Sequence, residues 1–249
     1  MIFPRAVALL AALFALPAQA VELKVFSGNG SRAAVVELTQ RFEKETGNKV
    51  TVDFAVNPTV QKRVEDGEQF DLAVLNPPTL DTLIKEGKIK GDTRRVIGRI
   101  GIGMAIAADK PKPDISTVDA FKKALLDAKA VAFPGDGASG KYFNSLVDRL
   151  GMREQLKDKL RPMPGEYNVE VVAKGDIDVV VVVASRIYGV PGAQLVGLIP
   201  AELQTWIGFA TAVSANARQP EAAAALTRYL TAPGAEPFLR QMGMEPFVE

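Results

Sequence analysis

The sequence predicts an α/β protein of two lobes, each a mostly parallel β-sheet flanked by helices. Strands, turns and helices alternate over residues 21–87, and the same alternation returns over residues 130–184. A long apolar stretch with several glycines, residues 94–108, separates the two series. Strict alternation is typical of right-handed βαβ units, in which neighbouring strands run parallel. These three observations together predict the fold class.

The first series contains three strand–turn–helix units. Each strand carries β-branched or aromatic residues, and each turn carries small polar residues, Gly or Pro where the next helix begins. Such turns lie at the carboxyl ends of the strands, the edge at which open α/β sheets bind ligands. The predicted strands cover 21–26, 49–54 and 70–75, and the helices that follow them end at Glu45, Gly67 and Gly87.

The second series follows a break at residues 110–114 and is built in the same way. A glycine-rich loop at 134–140 connects its first strand to the next helix. The predicted strands cover 130–133 and 178–184, and the predicted helices cover 118–127, 141–150, 153–160 and a segment that opens at 163–166 and runs through Ala173.

The end of the chain is predicted to return to the first lobe. Further strands at 195–199 and 206–213 precede helices at 220–230 and 234–242. We therefore expect a discontinuous architecture, because two α/β series joined by extended strands are followed by returning helices. A single long doubly wound sheet is the alternative. The predicted boundaries are 21–98 and 208–249 for lobe 1 and 99–207 for lobe 2.

Residues 1–20 are predicted to be a cleaved secretory signal. Arg5 precedes an apolar run from Ala6 to Leu16, and Pro17-Ala18-Gln19-Ala20 offers the small-x-small pattern of a signal-peptidase site. The run is too short to cross a bilayer, which takes about 20 apolar residues. The alternative is a buried N-terminal helix, but the capping residues that it would need are missing. We therefore expect a periplasmic protein.

The composition excludes several kinds of chemistry. The sequence contains no Cys and no His, so it lacks a disulfide framework, a lipid-anchored cysteine, and the commonest metal ligand and general base. Once Arg5 leaves with the signal, basic and acidic residues both number 29. A neutral chain has no overall field that attracts nucleic acid or an anionic membrane. We expect a monomer with no cofactor, metal ion or membrane anchor.

Small polar residues at helix starts are the first candidates for ligand binding. Free backbone N–H groups and the helix dipole make a helix N-terminus a site for anions. The alternative is ordinary capping, for which Ser, Thr and Asn are favoured whether or not a ligand exists. The candidates are Asn29, Gly30, Ser31, Asn57, Thr59, Asn76, Ser139, Gly140, Lys141 and Gly165.

Two cations are candidate partners of a carboxylate ligand. Lys141 lies in the glycine-rich turn, and Ser185-Arg186 follows the apolar strand. A di- or tricarboxylate benefits from a bidentate Arg or a Lys. The alternative is that both cations are solvated on the surface.

Several segments resemble one protein family in their order and spacing. They are Val25-Phe26, Phe42 to Gly47, Val50-Thr51-Val52, Gln61 to Gly67 with Asp71, Gly140-Lys141, Gly175 to Asp178, and Asn216 to Ala223. They are similar to the type 2 periplasmic solute-binding proteins, above all to the molybdate-binding branch. The resemblance covers nearly the whole mature chain. It implies two lobes, two crossover strands that act as a hinge, and an anion held in the cleft for an ABC-type transporter.

The sequence departs from the molybdate pattern at three turns. Gly30 stands where that branch has Ser, Ala55-Val56-Asn57-Pro58 stands where it has Gly-Ser-Ser-Gly, and Val183 replaces a Tyr. The resemblance extends to branches that handle small organic acids, among them periplasmic aconitate isomerases. It therefore implies a small anion, either an oxyanion or a di- or tricarboxylate.

An isomerase on the same scaffold is the alternative function. Isomerisation of aconitate removes a proton next to a carboxylate and returns one at the other end of the allylic unit. Without His, the base must be a carboxylate, a Lys or a Tyr, and Lys141, Glu166 and Tyr167 are the candidates near the expected cleft. A carboxylate at a helix N-terminus is stabilised in its charged form, which favours an ordinary structural role for Glu166.

Overall fold

The computed structural model describes residues 20–164 and 169–246 of the chain. Apart from Ala20, the predicted signal segment lies outside these residues. In the described part of the chain, no helix is long and apolar enough to cross a membrane. No group of three or more acidic side chains in that part is arranged to hold a metal ion.

The first lobe is built on three parallel strands with one helix after each. Strand β1 pairs in parallel with both β2 and β3, so the central strand comes first in the chain. The elements are β1 (Glu22–Gly28), α1 (Arg32–Thr46), β2 (Lys49–Ala55), α2 (Asn57–Glu65), β3 (Leu72–Leu75) and α3 (Pro77–Lys85). A single 3-10 turn, Asn29–Ser31, connects β1 to α1.

The second lobe repeats this arrangement, again with the first of its three parallel strands in the centre. Strand β5 pairs in parallel with both β6 and β7. The elements are β4 (Arg95–Ala107), α4 (Val118–Asp127), β5 (Val131–Pro134), α5 (Ala138–Arg149), α6 (Arg153–Leu156), β6 (Leu160–Met163), α7 (Glu170–Lys174), β7 (Val179–Val183) and β8 (Ala193–Leu198). The chain returns through β9 (Trp206–Val213), α8 (Pro220–Leu230) and α9 (Glu236–Gln241).

The long strand β4 connects the two lobes. Its first part, Arg95 to Gly101, pairs with the antiparallel β9, and β9 pairs in turn with β3 of the first lobe. Its second part, Ile102 to Ala107, pairs with β7 and β8 of the second lobe. The sheet order is therefore β2-β1-β3-β9-β4-β7-β5-β6, with β8 also on β4. Strand β4 therefore changes its pairing partners between Gly101 and Ile102.

Apolar side chains bury both faces of the sheet. In the first lobe, Phe42 of α1 packs on one face and Leu80 of α3 on the other. In the second lobe, Phe143 of α5 and Val172 of α7 lie in the clusters on opposite faces. Helices cover both faces, as expected for parallel strands.

The predicted α/β class is confirmed, and three local predictions are wrong. Met163, at which a helix is predicted to open, is instead the last residue of β6, and the described helix α7 covers only Glu170–Lys174. Residues 153–160 form only a four-residue helix, and residues 160–163 form the edge strand β6, which the sequence analysis missed. Helix α5 begins at Ala138 rather than at Lys141. The end of the supposed glycine-rich loop is therefore already helical.

Candidate functional site

A cleft lies where the carboxyl ends of strands from both lobes face each other. Strands β1, β5 and β7 each end there in a turn that starts a helix or a 3-10 turn, and the start of α2 borders it as well. The described residues that line it are Asn29, Gly30, Val56, Asn57, Pro134, Gly137, Ala138, Ser139, Val182, Val183, Arg186, Ile207 and Phe209.

Asn29 presents a buried amide to the cleft. The residue is only 7% exposed, and its Oδ1 accepts a hydrogen bond from Arg32 Nη2 at 3.1 Å. Its Nδ2 is buried and finds no hydrogen-bond partner among the described residues. A buried N–H donor without a partner costs about 1–3 kcal/mol. A bound group that accepts a hydrogen bond would recover that cost.

Asn57 is the second amide on this wall. Its Oδ1 accepts a hydrogen bond from the backbone N–H of Asn76 at 3.2 Å. Asn57 is the first residue of α2, and Asn76 immediately precedes α3. The amide oxygen is thereby committed to the protein, and the NH₂ group remains as the donor.

Gly30 contributes backbone only to the cleft. A Cβ atom at this position would lie 2.6 Å from Cζ of Phe209, so no larger residue fits without displacing the ring. The neighbouring Ser31 is fully buried, and its Oγ donates to the carbonyl of Gly28 at 2.9 Å. Its hydroxyl therefore stabilises the turn rather than the cleft.

The start of α5 forms the opposite wall. The first helical hydrogen bond of α5 runs from the N–H of Lys141 to the carbonyl of Gly137 at 3.0 Å. The N–H groups of the residues before Lys141 have no acceptor within the helix, which is the general property of a helix start. Ala138 and Ser139 place this end of the helix in the cleft, and the helix dipole adds a partial positive charge there.

Arg186 is the one charged residue among the described lining residues. It ends the 3-10 turn Ala184–Arg186 that follows β7, and it is 8% exposed. Ser185 in the same turn donates a hydrogen bond from its Oγ to the carbonyl of Gly30 in the first lobe. The turn therefore brings the guanidinium to the cleft and fastens the two lobes together.

The cleft is electropositive and walled with apolar groups. None of its described lining residues is an Asp or a Glu, so the amide and backbone donors face no carboxylate from the described lining. Val182, Val183, Ile207 and Phe209 supply apolar walls. The cleft offers a volume of about 50 Å³ to the centres of water-sized molecules. By the same measure, a single water needs about 10–15 Å³. The cleft has room for a ligand of several heavy atoms.

The structure brings five of the predicted site residues together. Asn29, Gly30, Asn57, Ser139 and Arg186 all line this cleft. The described lining does not include Ser31, Thr59, Asn76, Gly140, Lys141 or Ser185, of which Thr59 and Lys141 are exposed. Gly165, Glu166 and Tyr167 lie outside the described residues, so their assignment to the site stays a prediction.

Sequence reasoning missed the apolar part of the site. Phe209 and Ile207 belong to β9, whose burial and strand pattern predict only a core position. Gly137 and Ala138 were predictable, because they directly precede the candidate residue Ser139 in the same turn. No signal in the sequence pairs Phe209 with Gly30.

Comparisons with known proteins place the chain among bacterial binding proteins. The family model described as "Bacterial extracellular solute-binding protein" matches residues 23–245. An aconitate isomerase from Pseudomonas sp. is 34% identical over 247 residues, which cover 96% of this chain and 93% of the relative. The molybdate-binding protein ModA of Azotobacter vinelandii is 26% identical over 245 residues, 95% of each chain. The predicted resemblance is confirmed.

A solved structure shows the same architecture. The periplasmic molybdate-binding protein of Azotobacter vinelandii superposes with a TM-score of 0.77 at 16% identity, over 91% of this chain and all of the other. At this identity the likeness concerns the fold alone. The predicted two-lobed binding-protein fold is confirmed.

Proposed function

The chain belongs to the family of bacterial extracellular solute-binding proteins, and on that premise we propose that it binds a small organic carboxylate in the interlobe cleft. We assign it to the periplasm, reached through the secretory signal of residues 1–20. In this proposal the loaded protein delivers its ligand to the permease of an ABC-type transporter.

The composition of the cleft supports a negatively charged ligand. Asn29 offers a buried donor with no partner in the described chain, and Arg186 adds a buried positive charge. No described lining residue is a carboxylate that would compete with a ligand for the Asn29 donor. This combination is the observation that carries the proposal.

The apolar walls favour a carboxylate over an inorganic oxyanion. An oxyanion such as molybdate has no carbon surface to bury, whereas an organic acid gains about 25 cal/mol for each Å² of apolar surface removed from water. Val182, Val183, Ile207 and Phe209 provide that surface. Arg186 matches a carboxylate in charge and in planar geometry.

Closure of the lobes explains how binding is transmitted. Donors from both lobes, Asn29 on one side and Arg186 on the other, meet at the same cleft. A ligand that contacts both sides stabilises the closed arrangement, whereas a ligand on one lobe alone shifts the equilibrium little. The predicted lobes, 21–98 with 208–249 and 99–207, are the bodies that we propose to move.

A ligand panel tests the proposal. Thermal shift and calorimetry of the mature protein with trans-aconitate, citrate, molybdate, tungstate and sulfate should detect the carboxylates and not the metal oxyanions. A shift with molybdate and none with either carboxylate would contradict the proposal.

A pair of variants tests the role of Arg186. Arg186→Met should weaken carboxylate binding by about 2–5 kcal/mol, the cost of truncating one member of a buried charged contact. Lys141→Ala removes the same charge from an exposed neighbour of the cleft, and we expect a much smaller loss. Equal losses of affinity in the two variants would mean that the overall positive charge near the cleft, and not a direct contact with Arg186, holds the ligand.

Isomerisation of a small tricarboxylate is the second candidate, favoured by the 34% identical aconitate isomerase. The reaction needs a group that removes a proton and returns one. Among the described lining residues there is no Asp, Glu, Lys or Tyr, so we propose that a base, if the chain is an enzyme, comes from Glu166 or Tyr167.

Product analysis separates the two functions. The mature protein is incubated with trans-aconitate, and the cis and trans isomers are separated by chromatography. Conversion that is lost in Glu166→Gln or Tyr167→Phe would establish the isomerase, whereas tight binding with no conversion supports the binding protein.

A further inference from the structure

We infer that Arg32 is a positioning residue that orients the amide of Asn29 and so makes the cleft select ligands that accept hydrogen bonds. This inference rests on the proposed function, because it concerns the same cleft. Arg32 is exposed and does not line the cleft. It acts through Asn29 and does not contact the ligand.

The chemistry of the contact determines the orientation of the amide. Arg32 Nη2 lies 3.1 Å from the Asn29 side chain, and a guanidinium only donates hydrogen bonds. The atom of Asn29 that faces it must therefore be the oxygen. The NH₂ group is left on the other side, where Nδ2 is buried without a partner among the described residues.

An aromatic ring holds the guanidinium in place. Cζ of Arg32 lies 4.1 Å from the centre of the Phe54 ring, a distance at which a guanidinium and an aromatic face attract each other. Phe54 belongs to β2, and Arg32 is the first residue of α1. The guanidinium is thus bound on one side by the ring and on another by the Asn29 oxygen.

Helix stability does not account for an arginine at this position. A helix N-terminus carries a partial positive charge, so a cation in the first turn is unfavourable. Arg32 occupies the first residue of α1, and no acidic residue is present in that turn. Replacing Arg32 by a neutral residue should therefore leave the stability of α1 unchanged or slightly higher. Its contacts with the Asn29 oxygen and with the Phe54 ring are the contributions that remain.

Asn57 provides a second instance of the same arrangement. A group that only donates, the backbone N–H of Asn76, fixes the oxygen of Asn57 at 3.2 Å. Both amides of the first-lobe wall therefore have their oxygens bound to the protein. The wall offers N–H donors to carboxylates and discriminates against ligands that carry ammonium or amide donors.

The test compares Arg32→Met with Arg32→Lys and with Lys44→Met. Lys44 is an exposed cation in the last turn of the same helix, so its variant removes an equal charge far from the cleft. For whichever anion of the panel the wild type binds, Arg32→Met should lower the affinity about tenfold, which corresponds to about 1.4 kcal/mol. Arg32→Lys should recover part of that loss, and Lys44→Met should bind as the wild type does.

Two readouts separate orientation from stability. The melting temperature of ligand-free Arg32→Met should stay within about 2 °C of the wild type, since less than 1 kcal/mol is expected at an exposed position. The side-chain ¹⁵N–H₂ signals of Asn29, identified by their loss in Asn29→Leu, should shift or broaden in Arg32→Met because the amide then rotates.

Each part of the inference has an outcome that overturns it. Wild-type affinity in Arg32→Met, equal losses in Arg32→Met and Lys44→Met, or an unchanged Asn29 amide signal would each contradict a positioning role. If the wild type binds no anion of the panel, the proposed function fails. The Asn29 signal still decides in that case whether Arg32 orients the amide.

Discussion

Two polar regions of the first lobe differ in how their groups are paired. In the ion cluster, formed by Lys24, Asp53, Arg63 and Glu68, both cations contact both carboxylates, at N–O distances from 2.6 to 3.7 Å. In the cleft, Asn29 keeps a buried N–H end with no partner among the described residues. One region satisfies its polar groups within the protein, and the other leaves donors for a ligand.

This difference assigns opposite roles to polar residues of the same lobe. A polar group with a hydrogen-bond partner stabilises the folded protein, so its removal lowers the free energy of unfolding. A buried donor without a partner instead costs free energy in the ligand-free state. We therefore expect substitutions in paired regions to lower stability without changing affinity. Substitutions of donors in the cleft should lower affinity without lowering stability.

The largest effect is expected where the cleft wall depends on backbone packing. A Cβ atom at Gly140 would lie 1.5 Å from the carbonyl oxygen of Pro134, so Gly140→Ala must push α5 away from β5. We expect the free energy of unfolding to fall by more than about 3 kcal/mol, with loss of ligand binding. Chemical denaturation measures the change.

Gly137→Ala is the matched control in the same turn. The nearest atom to a Cβ there is 3.5 Å away, and φ of Gly137 is −80°, which suits any residue. Alanine there should change stability by less than about 1 kcal/mol, because the smaller entropy of the unfolded chain offsets the poorer capping of α5 by alanine. A mild Gly140→Ala variant would show that the start of α5 is not held against β5 as described.

A paired carboxylate outside the cleft should give the next largest effect. Asp71 is 4% exposed, and its carboxylate accepts hydrogen bonds from the backbone N–H groups of Lys24, Arg218 and Gln219 at 2.7–3.0 Å. Asp71→Asn turns an NH₂ group towards one of these donors, so we expect the free energy of unfolding to fall by about 2 kcal/mol. Ligand affinity should stay as in the wild type.

The exposed carboxylate of Asp92 provides the comparison for Asp71. Asp92→Asn makes the same chemical change at the surface, where substitutions lie within about 0.5 kcal/mol of the wild type. A loss of affinity in Asp71→Asn at temperatures where the protein remains folded would break the separation between paired and unpaired regions.

Much of the fold was predictable because its signals are local. Strand β9 (Trp206–Val213) and the helices Val118–Asp127 and Pro220–Leu230 match their predicted bounds. Thr117 caps the start of α4, since its Oγ1 accepts a hydrogen bond from the N–H of Ala120 at 3.2 Å. Strand β6 was missed because it is short, half-exposed and interrupted by Arg161 and Pro162.

Only those residues of the candidate site that lie in small polar turns could be predicted from the sequence. Asn29, Asn57 and Ser139 follow strands in small polar turns, and this local pattern selected them. The contact of Phe209 with Gly30 joins residues that are distant in the chain. The role of Arg32, on α1, likewise depends on its contact with the Phe54 ring on β2. Pairings of this kind require the folded structure.

Removing the unpaired donor of Asn29 is expected to maintain or raise the stability of the ligand-free protein, whereas the substitutions of paired groups lower it. Asn29→Leu replaces the amide by an apolar group of similar shape and deletes the buried donor, while the exposed Arg32 regains water. We expect the ligand-free protein to keep its stability or gain up to about 1 kcal/mol, and to lose carboxylate binding. Calorimetry and thermal denaturation on one sample measure both quantities. A destabilisation like that of Asp71→Asn would show that Asn29 serves the fold.

The smallest effect is expected in the ion cluster, as a dependence on pH. The hydrogen bond from Arg63 lowers the pKa of the Glu68 carboxyl from 4.5 to about 2. Because the pKa is lower in the folded protein, the charged carboxylate stabilises it above pH 4.5, and this contribution is lost as the pH falls towards 2. The side chain is 36% exposed, so solvent screening limits the contribution to less than about 1 kcal/mol.

Glu68→Gln should therefore lower the melting temperature at pH 6 by a small amount and converge with the wild type near pH 2. Glu86→Gln, a change of an exposed carboxylate on the same lobe, should track the wild type across the range. Raising the salt concentration should reduce the difference at pH 6, since exposed pairs are screened. A gap between Glu68→Gln and the wild type that persists at pH 2 would mean that packing of the side chain, rather than its charge, holds this region together. The paired region would then resemble the apolar core more than a polar counterpart of the cleft.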